Sequence, residues 1–275
     1  RGIGGGRSRR LPETEKPLLR EHLKQQSHWT TQEIQQLIKT EFQVEYSLRQ
    51  VIRLLREMKL SFYKPFQLDE KRPDEAEEML TRSLLEAFQK LRLKGVDLTR
   101  VAIGFGDECS PQTAPNTARF WSIFKSPRKV LTTKIRRNTF GFYTLRGNDC
   151  IFEIQSSKAV QFVEVLSVIK EQNQEFDHII LIWDNLRSHK SEIVLNQAEQ
   201  LKIILVNLPK YSPDLNPIEY VWKTVKRAIS QSNEVKDQES LANIIDSTFQ
   251  TVTKKLSFAR NWIQSIFNPV YNSFF

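Results

Sequence analysis

Cysteine is almost missing from this chain. Cys109 and Cys150 are the only two in 275 residues and share no paired spacing, which excludes a disulfide framework and a cysteine-ligated zinc site. Long apolar runs are missing too. Stretches such as 179–183 (Ile-Ile-Leu-Ile-Trp) fall far short of the roughly 20 residues that span a bilayer. No signal peptide is visible, and no internal repeat occurs beyond a glycine-rich start. These absences point to an intracellular, cytoplasmic protein with no membrane partner. The first residue is Arg rather than Met, as expected of a fragment or trimmed chain.

What is present supports a folded, basic protein. A hydrophobic fraction of 39% with 17 Phe and 5 Trp supplies a real core and argues against general disorder. The length suits one large domain or a large and a small one. The formal charge of +9 and pI near 9.5 point towards a polyanion. The charge is clustered: residues 1–66 hold 13 Lys/Arg against 7 Asp/Glu, a balance of +6. Residues 119–146 hold eight basic residues and no acidic one. A solvated surface is the bland explanation; contact with phosphates is the favoured one.

Residues 1–12 read as a flexible basic arm whose Arg7, Arg9 and Arg10 suit a DNA minor groove. Residues 13–63 read as three short helices, over about 13–26, 31–42 and 48–58. Thr30 and Glu33 form a capping box for the second. Leu48, Val51, Ile52, Leu55 and Met58 would face inward on the third. Arg49, Arg53 and Arg56 would face outward. That arrangement fits a helix-turn-helix whose third helix enters a major groove, or else a small bundle with a solvated face. Residues 64–95 read as a linker with Pro65 and Pro73, then a connecting helix over 74–94 capped by Gly95.

From about 96 onward the pattern becomes βββαβαβα, which predicts an α/β fold: a mixed central sheet flanked by helices on both faces. Three acidic residues sit at telling places in it. Asp107 and Asp184 each end a short apolar run, and Glu219 lies in the first turn of a helix opening at Pro217. In such sheets, sites gather where strands end. Three carboxylates held together repel unless cations neutralise them, and an all-oxygen set favours Mg²⁺ or Mn²⁺. Two such ions suit in-line displacement at a phosphodiester.

Each acid also has a structural alternative. Asn216 as N-cap with Glu219 at N3 would make a capping box. Asp184 could cap the turn after its strand. Glu108 competes with Asp107, although neighbours on a strand face opposite ways. Asp214 suits a turn in the proline-framed segment 212–217. Asn185, His189 and Lys210 are accessory candidates, His189 either orienting a phosphate or a neighbouring carboxylate, or else capping or packing. Lys134, Arg136 and Arg137 join the arginines above as candidate DNA contacts.

Gly-Asp-Glu-Cys-Ser at 106–110, Trp-Asp-Asn-Leu-Arg-Ser-His at 183–189 and Leu-Pro-Lys-Tyr-Ser-Pro-Asp-Leu-Asn-Pro-Ile-Glu at 208–219 together resemble the mariner-type superfamily of DDE transposases, in particular its bacterial and archaeal insertion-sequence branch. Thirty-four residues separate Asp184 from Glu219, a spacing typical of that family. The resemblance implies a ribonuclease-H-like catalytic domain over 96–275, preceded by a helix-turn-helix. It implies that Asp107, Asp184 and Glu219 bind two Mg²⁺ (or Mn²⁺) and that the enzyme acts near the nucleoid. It further implies cleavage of double-stranded DNA at terminal inverted repeats, joining of 3′ ends at a TA target, and a homodimer on paired ends. Family members usually carry another helix-turn-helix ahead of the glycine-arginine linker, where this chain begins. A non-catalytic DNA-binding remnant or regulator is the alternative reading, and a junction-resolving nuclease a more distant one.

Overall fold

The computed structural model describes residues 10–26, 28–63, 68–113, 134–232, 235 and 237–274. Arg7 and Arg9 therefore lie outside the described residues. The chain divides into two compact units, residues 1–67 and 68–275.

The first unit is helical throughout its described part. Helix α1 covers Lys16–Lys24, α2 Thr31–Phe42 and α3 Leu48–Glu57. The capping box at Thr30 is present: its hydroxyl accepts from the Glu33 N–H, and Glu33 returns the bond to the Thr30 N–H. Ser47 and Gln50 make a second box ahead of α3. Leu19, Leu23, Ile34, Ile38, Phe42, Val44, Val51, Leu54 and Met58 close one small core.

The inner stripe of α3 differs from expectation. Val51, Leu54 and Met58 are buried, while Leu48 and Ile52 are 39% and 40% exposed. Helix α3 and its C-cap carry six aliphatic or Met side chains at 48–58, too many for one face, so periodicity alone leaves its rotation ambiguous. Contact with the other two helices selects the turn of the screw. Arg49, Arg53 and Arg56 stay exposed as expected, with Ile52 among them.

In the second unit, α4 covers Ala76–Leu93. Its apolar face buries Ala76, Leu80, Leu84, Phe88 and Leu91 in the unit's main core. It ends in a Schellman motif: Gly95 sits at φ +70°, the Val96 N–H bonds the Leu91 carbonyl, and the Gly95 N–H bonds that of Arg92. Then follow β1 (Val101–Cys109), β2 (Thr139–Arg146), β3 (Cys150–Glu153), α5 (Ala159–Gln172), β4 (His178–Trp183), α6 (Glu192–Gln200), β5 (Ile203–Asn207), α7 (Ile218–Gln231) and α8 (Gln238–Thr253).

The strands form one mixed sheet in the order β3-β2-β1-β4-β5. β1, β4 and β5 run parallel, β2 pairs antiparallel with β1, and β3 pairs antiparallel with β2. Alternate side chains serve opposite faces. Ile103, Phe105, Ile180 and Ile182 pack with α4, α7 and α8. Ala102, Ile179, Leu181 and Trp183 pack with α5 and α6. This is the ribonuclease-H-like architecture that the resemblance implies, with helices on both faces.

Candidate active site

Strand register brings the two aspartates side by side. Val101 of β1 pairs with His178 of β4 and Phe105 with Ile182, a constant offset of 77 (178 − 101 and 182 − 105). The same offset carries Asp107 to Asp184 (184 − 107 = 77), at the carboxyl ends of adjacent parallel strands. Asp107 is on the face on which α7 packs, its carboxylate meeting Trp222. Asp107, Asp184 and Glu219 line one cavity of about 420 Å³ with Asn185, Lys210 and Asn216. The three acids expected together are thus brought to one cavity.

Glu108 is not among them. Its side chain points to the opposite face of β1, where Ser157 Oγ donates to Oε1 at 2.5 Å. The capping alternative for Glu219 also fails. Asn216 is 2% exposed, and its Nδ2 turns inward to the Gly106 carbonyl (3.4 Å), so no side chain caps α7. Glu219 forms no hydrogen bond with a described side chain and faces the cavity.

The two aspartates are held differently. Asp107 Oδ2 accepts from Trp222 Nε1 at 3.0 Å. Burial, then the negative charges of Glu219 and Asp184, push its carboxyl well above the usual carboxylate range. Burial also works to raise Asp184. The hydrogen bond and charge of His189 and the Leu186 N–H outweigh it, so Asp184 ends below the ordinary value. His189 Nδ1 lies 2.9 Å from Asp184 Oδ1, and Leu186 N–H donates to the same oxygen at 3.2 Å. The imidazole is 3% exposed, stacked on Trp183 at 3.8 Å and edge-on to Phe162 at 4.3 Å. Its Nε2 is 3.9 Å from Glu108 Oε2. Of the roles open to His189, the structure shows packing and a contact to a carboxylate.

The donor set fits a hard divalent cation. It is all oxygen, and the upward push on Asp107 by its two neighbours is the repulsion that a cation would relieve. As the side chains stand, no group of three acidic, histidine or cysteine residues among the described residues is drawn close enough to hold an ion.

The family described as DDE superfamily endonuclease matches residues 102–242, just over half of the chain and all three carboxylates. The chain belongs to the DDE superfamily of endonucleases. A second family, described as winged helix-turn helix, matches residues 25–78. Among solved structures, the fold is similar to the Mos1 mariner paired-end complex with Mg, at 18% identity and a TM-score of 0.63, covering 98% of this chain and 82% of that one. The Mos1 transposase paired-end complex with left transposon end gives 17% and 0.62, covering 97% and 79%. The corresponding Mos1 paired-end complex with Mn gives 17% and 0.60, covering 99% and 79%. No curated protein matches the sequence. Among the described residues, no helix is long and apolar enough to cross a membrane.

Around the site of this DDE endonuclease, several expected contacts take other roles. Arg137 is not an outward DNA contact. Its side chain is 11% exposed, and its guanidinium sits between Asp246 (2.5 Å) and Glu153 (3.5 Å), just ahead of β2 and beside α8. Lys134, Arg136 and Arg10 are exposed. Asp214, expected in a turn, does lie in a short 3-10 turn. It also receives both Arg72 Nε and Nη2 at 3.0 Å, while Arg72 reaches Glu77 as well. Asn185 lines the cavity and donates to the Leu208 carbonyl at 3.2 Å. Residue types alone would not have singled out Trp222. It reads as one more apolar position on α7, and only its place three residues after Glu219 hinted otherwise.

Proposed function

We propose that this chain is a DNA transposase that cuts double-stranded DNA at terminal inverted repeats and joins the freed 3′ ends to TA target sites. The observation that carries this reading is the convergence of Asp107, Asp184 and Glu219 on one cavity at the ends of adjacent parallel strands. Likeness in fold to Mos1 complexes bearing a transposon end supports it. Asp107, Asp184 and Glu219 would hold two divalent ions, Mg²⁺ or Mn²⁺. Bound there, such ions activate the attacking oxygen and stabilise the leaving one.

The chain's own groups position the DNA. Exposed Lys210 at the rim meets a phosphate flanking the cut. Arg49, Arg53 and Arg56 of α3 meet the duplex of the terminal repeat, and Lys134 and Arg136 extend the basic surface of the second unit. In the first displacement, water attacks phosphorus and a 3′-hydroxyl leaves. In the second, that hydroxyl attacks a target phosphodiester, so one phosphodiester is made for each one broken. We place this reaction on a homodimer holding paired ends, in the cytoplasm at the nucleoid. The arm at 1–12, the helix-turn-helix at 13–63, the connecting segment at 64–95 and the catalytic domain at 96–275 are the corresponding division of labour.

Incubation with duplexes bearing the element's ends tests the reading. Cleavage with Mg²⁺ or Mn²⁺, its loss with chelator and its loss in Asp184→Asn are the expected results. The alternative reading is a DNA-binding remnant that no longer cuts. Binding to the ends without metal-dependent nicking, under conditions where an active relative cuts, would establish the remnant instead. Replacing any one of Arg49, Arg53 or Arg56 by Ala should lower the salt slope of DNA binding by about one.

A further inference from the structure

We infer that Trp222 is a positioning residue for the metal site: its indole N–H fixes one oxygen of Asp107, and Gly141 provides the socket that lets the ring reach it. The inference rests on the catalytic reading of Asp107 given above.

Three observations carry it. Trp222 is 1% exposed, and its Nε1 donates to Asp107 Oδ2 at 3.0 Å. Burial by itself does not impose that bond. The indole nitrogens of Trp183 and Trp262 are also buried, yet neither has an acceptor among the described residues. Trp222 alone of the three is aimed at a carboxylate of the site.

The third observation is the socket. Gly141 of β2 lies directly opposite Asp107 of β1 in the sheet register. A Cβ on Gly141 would come within 2.7 Å of Trp222 Cζ2 and 2.9 Å of Phe249 Cε2. Real Cβ atoms do not approach so closely in packed interiors. The missing side chain is therefore what admits the six-membered ring of the indole beside Asp107. Phe249 closes on it at 5.5 Å between centroids. One residue of β1, one of β2 and one of α7 thus form a unit, and that same helix presents Glu219 three residues earlier.

A fixed carboxylate ligates better than a free one. Outer-shell hydrogen bonds to metal ligands typically contribute 10–100-fold in affinity or activity. Holding Asp107 Oδ2 also sets the spacing between a β1 ligand and an α7 ligand, because Trp222 and Glu219 move together.

The test measures Mn²⁺ binding to the whole chain by the loss of free-ion paramagnetic resonance, beside thermal unfolding and metal-free DNA binding. Trp222→Phe keeps an aromatic ring and removes the donor. Site-specific β-(3-benzothienyl)alanine at position 222 keeps the bicyclic shape and removes only the N–H, so it covers the case in which the Phe variant fails to fold. Either is expected to weaken Mn²⁺ binding about 10–100-fold while DNA binding stays within about twofold. Gly141→Ala should weaken it in the same direction by displacing the ring. Mn²⁺ affinity within twofold of the parent in the benzothienyl variant, while Asp107→Asn abolishes binding, overturns the role of Trp222 and leaves the site intact. Unchanged binding in Asp107→Asn itself overturns the site assignment, and with it this inference.

Discussion

Asp107 and Asp184 occupy equivalent positions, at the same offset on neighbouring parallel strands, yet their surroundings push them in opposite directions. Asp107 has a neutral indole N–H for a partner and two carboxylates for neighbours, and its pKa rises. Asp184 has a buried imidazole and a backbone N–H on the same oxygen, and its pKa falls. One strand end is poised to gain most from an arriving cation. The other is already ionised and oriented before one arrives. On the proposed reading both ligands are oriented by hydrogen bonds, and only Asp107 waits for a metal to favour its charge.

The comparison breaks most readily on activity. Replacing either aspartate by Asn should reduce metal-dependent cleavage about 10³-fold or more, since several kcal/mol of charge stabilisation depend on each. Cleavage that survives in one variant but not the other would show that the two are not a pair. His189→Ala should have a smaller effect, a loss of about 10–100-fold in Mn²⁺ affinity, read by resonance titration. His189→Gln, which keeps a donor near Asp184 Oδ1, should recover part of it. An unaltered affinity in His189→Ala would reduce the imidazole to packing against Trp183 and Phe162.

The smallest effect concerns stability without metal, and its sign differs between the two sites. Asp184 has a depressed folded pKa, so its ionisation stabilises the fold above the ordinary carboxylate value near 3.9 and that contribution is lost as pH falls through the depressed value. Asp107 has a raised folded pKa. Its ionisation destabilises the fold, and the cost grows as pH climbs from the ordinary value to the raised one. At neutral pH, Asp107→Asn should therefore raise the metal-free melting temperature by about 2–4 °C, the shift that ~1 kcal/mol gives in a domain of this size. Asp184→Asn should lower it, by less, because that side chain is half exposed. Equal signs in the two scans would refute the contrast.

Much of this was legible beforehand, for identifiable reasons. Strands β4 and β5 are continuous β-branched and aliphatic runs, as buried parallel strands require. The capping box at Thr30 and the terminal Gly95 are local devices that work within one helix turn. What the local pattern missed depends on nonlocal partners. Arg137 was read from a basic run, but Asp246 lies 109 residues away in sequence. Asp214 does lie in the turn read from its prolines, but its partner Arg72 is 142 residues distant. Asn216 looked like a cap until the Gly106 carbonyl took its amide. Helix α3 carried too many apolar side chains for its own pattern to fix its rotation.

The sequence by itself determined the alternation of strands and helices, the three acids and their order, and the basic helical module that precedes them. These follow from periodicity, capping and charge, all of which act over a few residues. Only the tertiary structure decided which acid of the 107–108 pair enters the cavity, how each aspartate is held, and that a tryptophan and a glycine support one of them. Those outcomes depend on strand register and on the packing of α7 across β1 and β2, and side chains more than a hundred residues apart meet only when the sheet has formed.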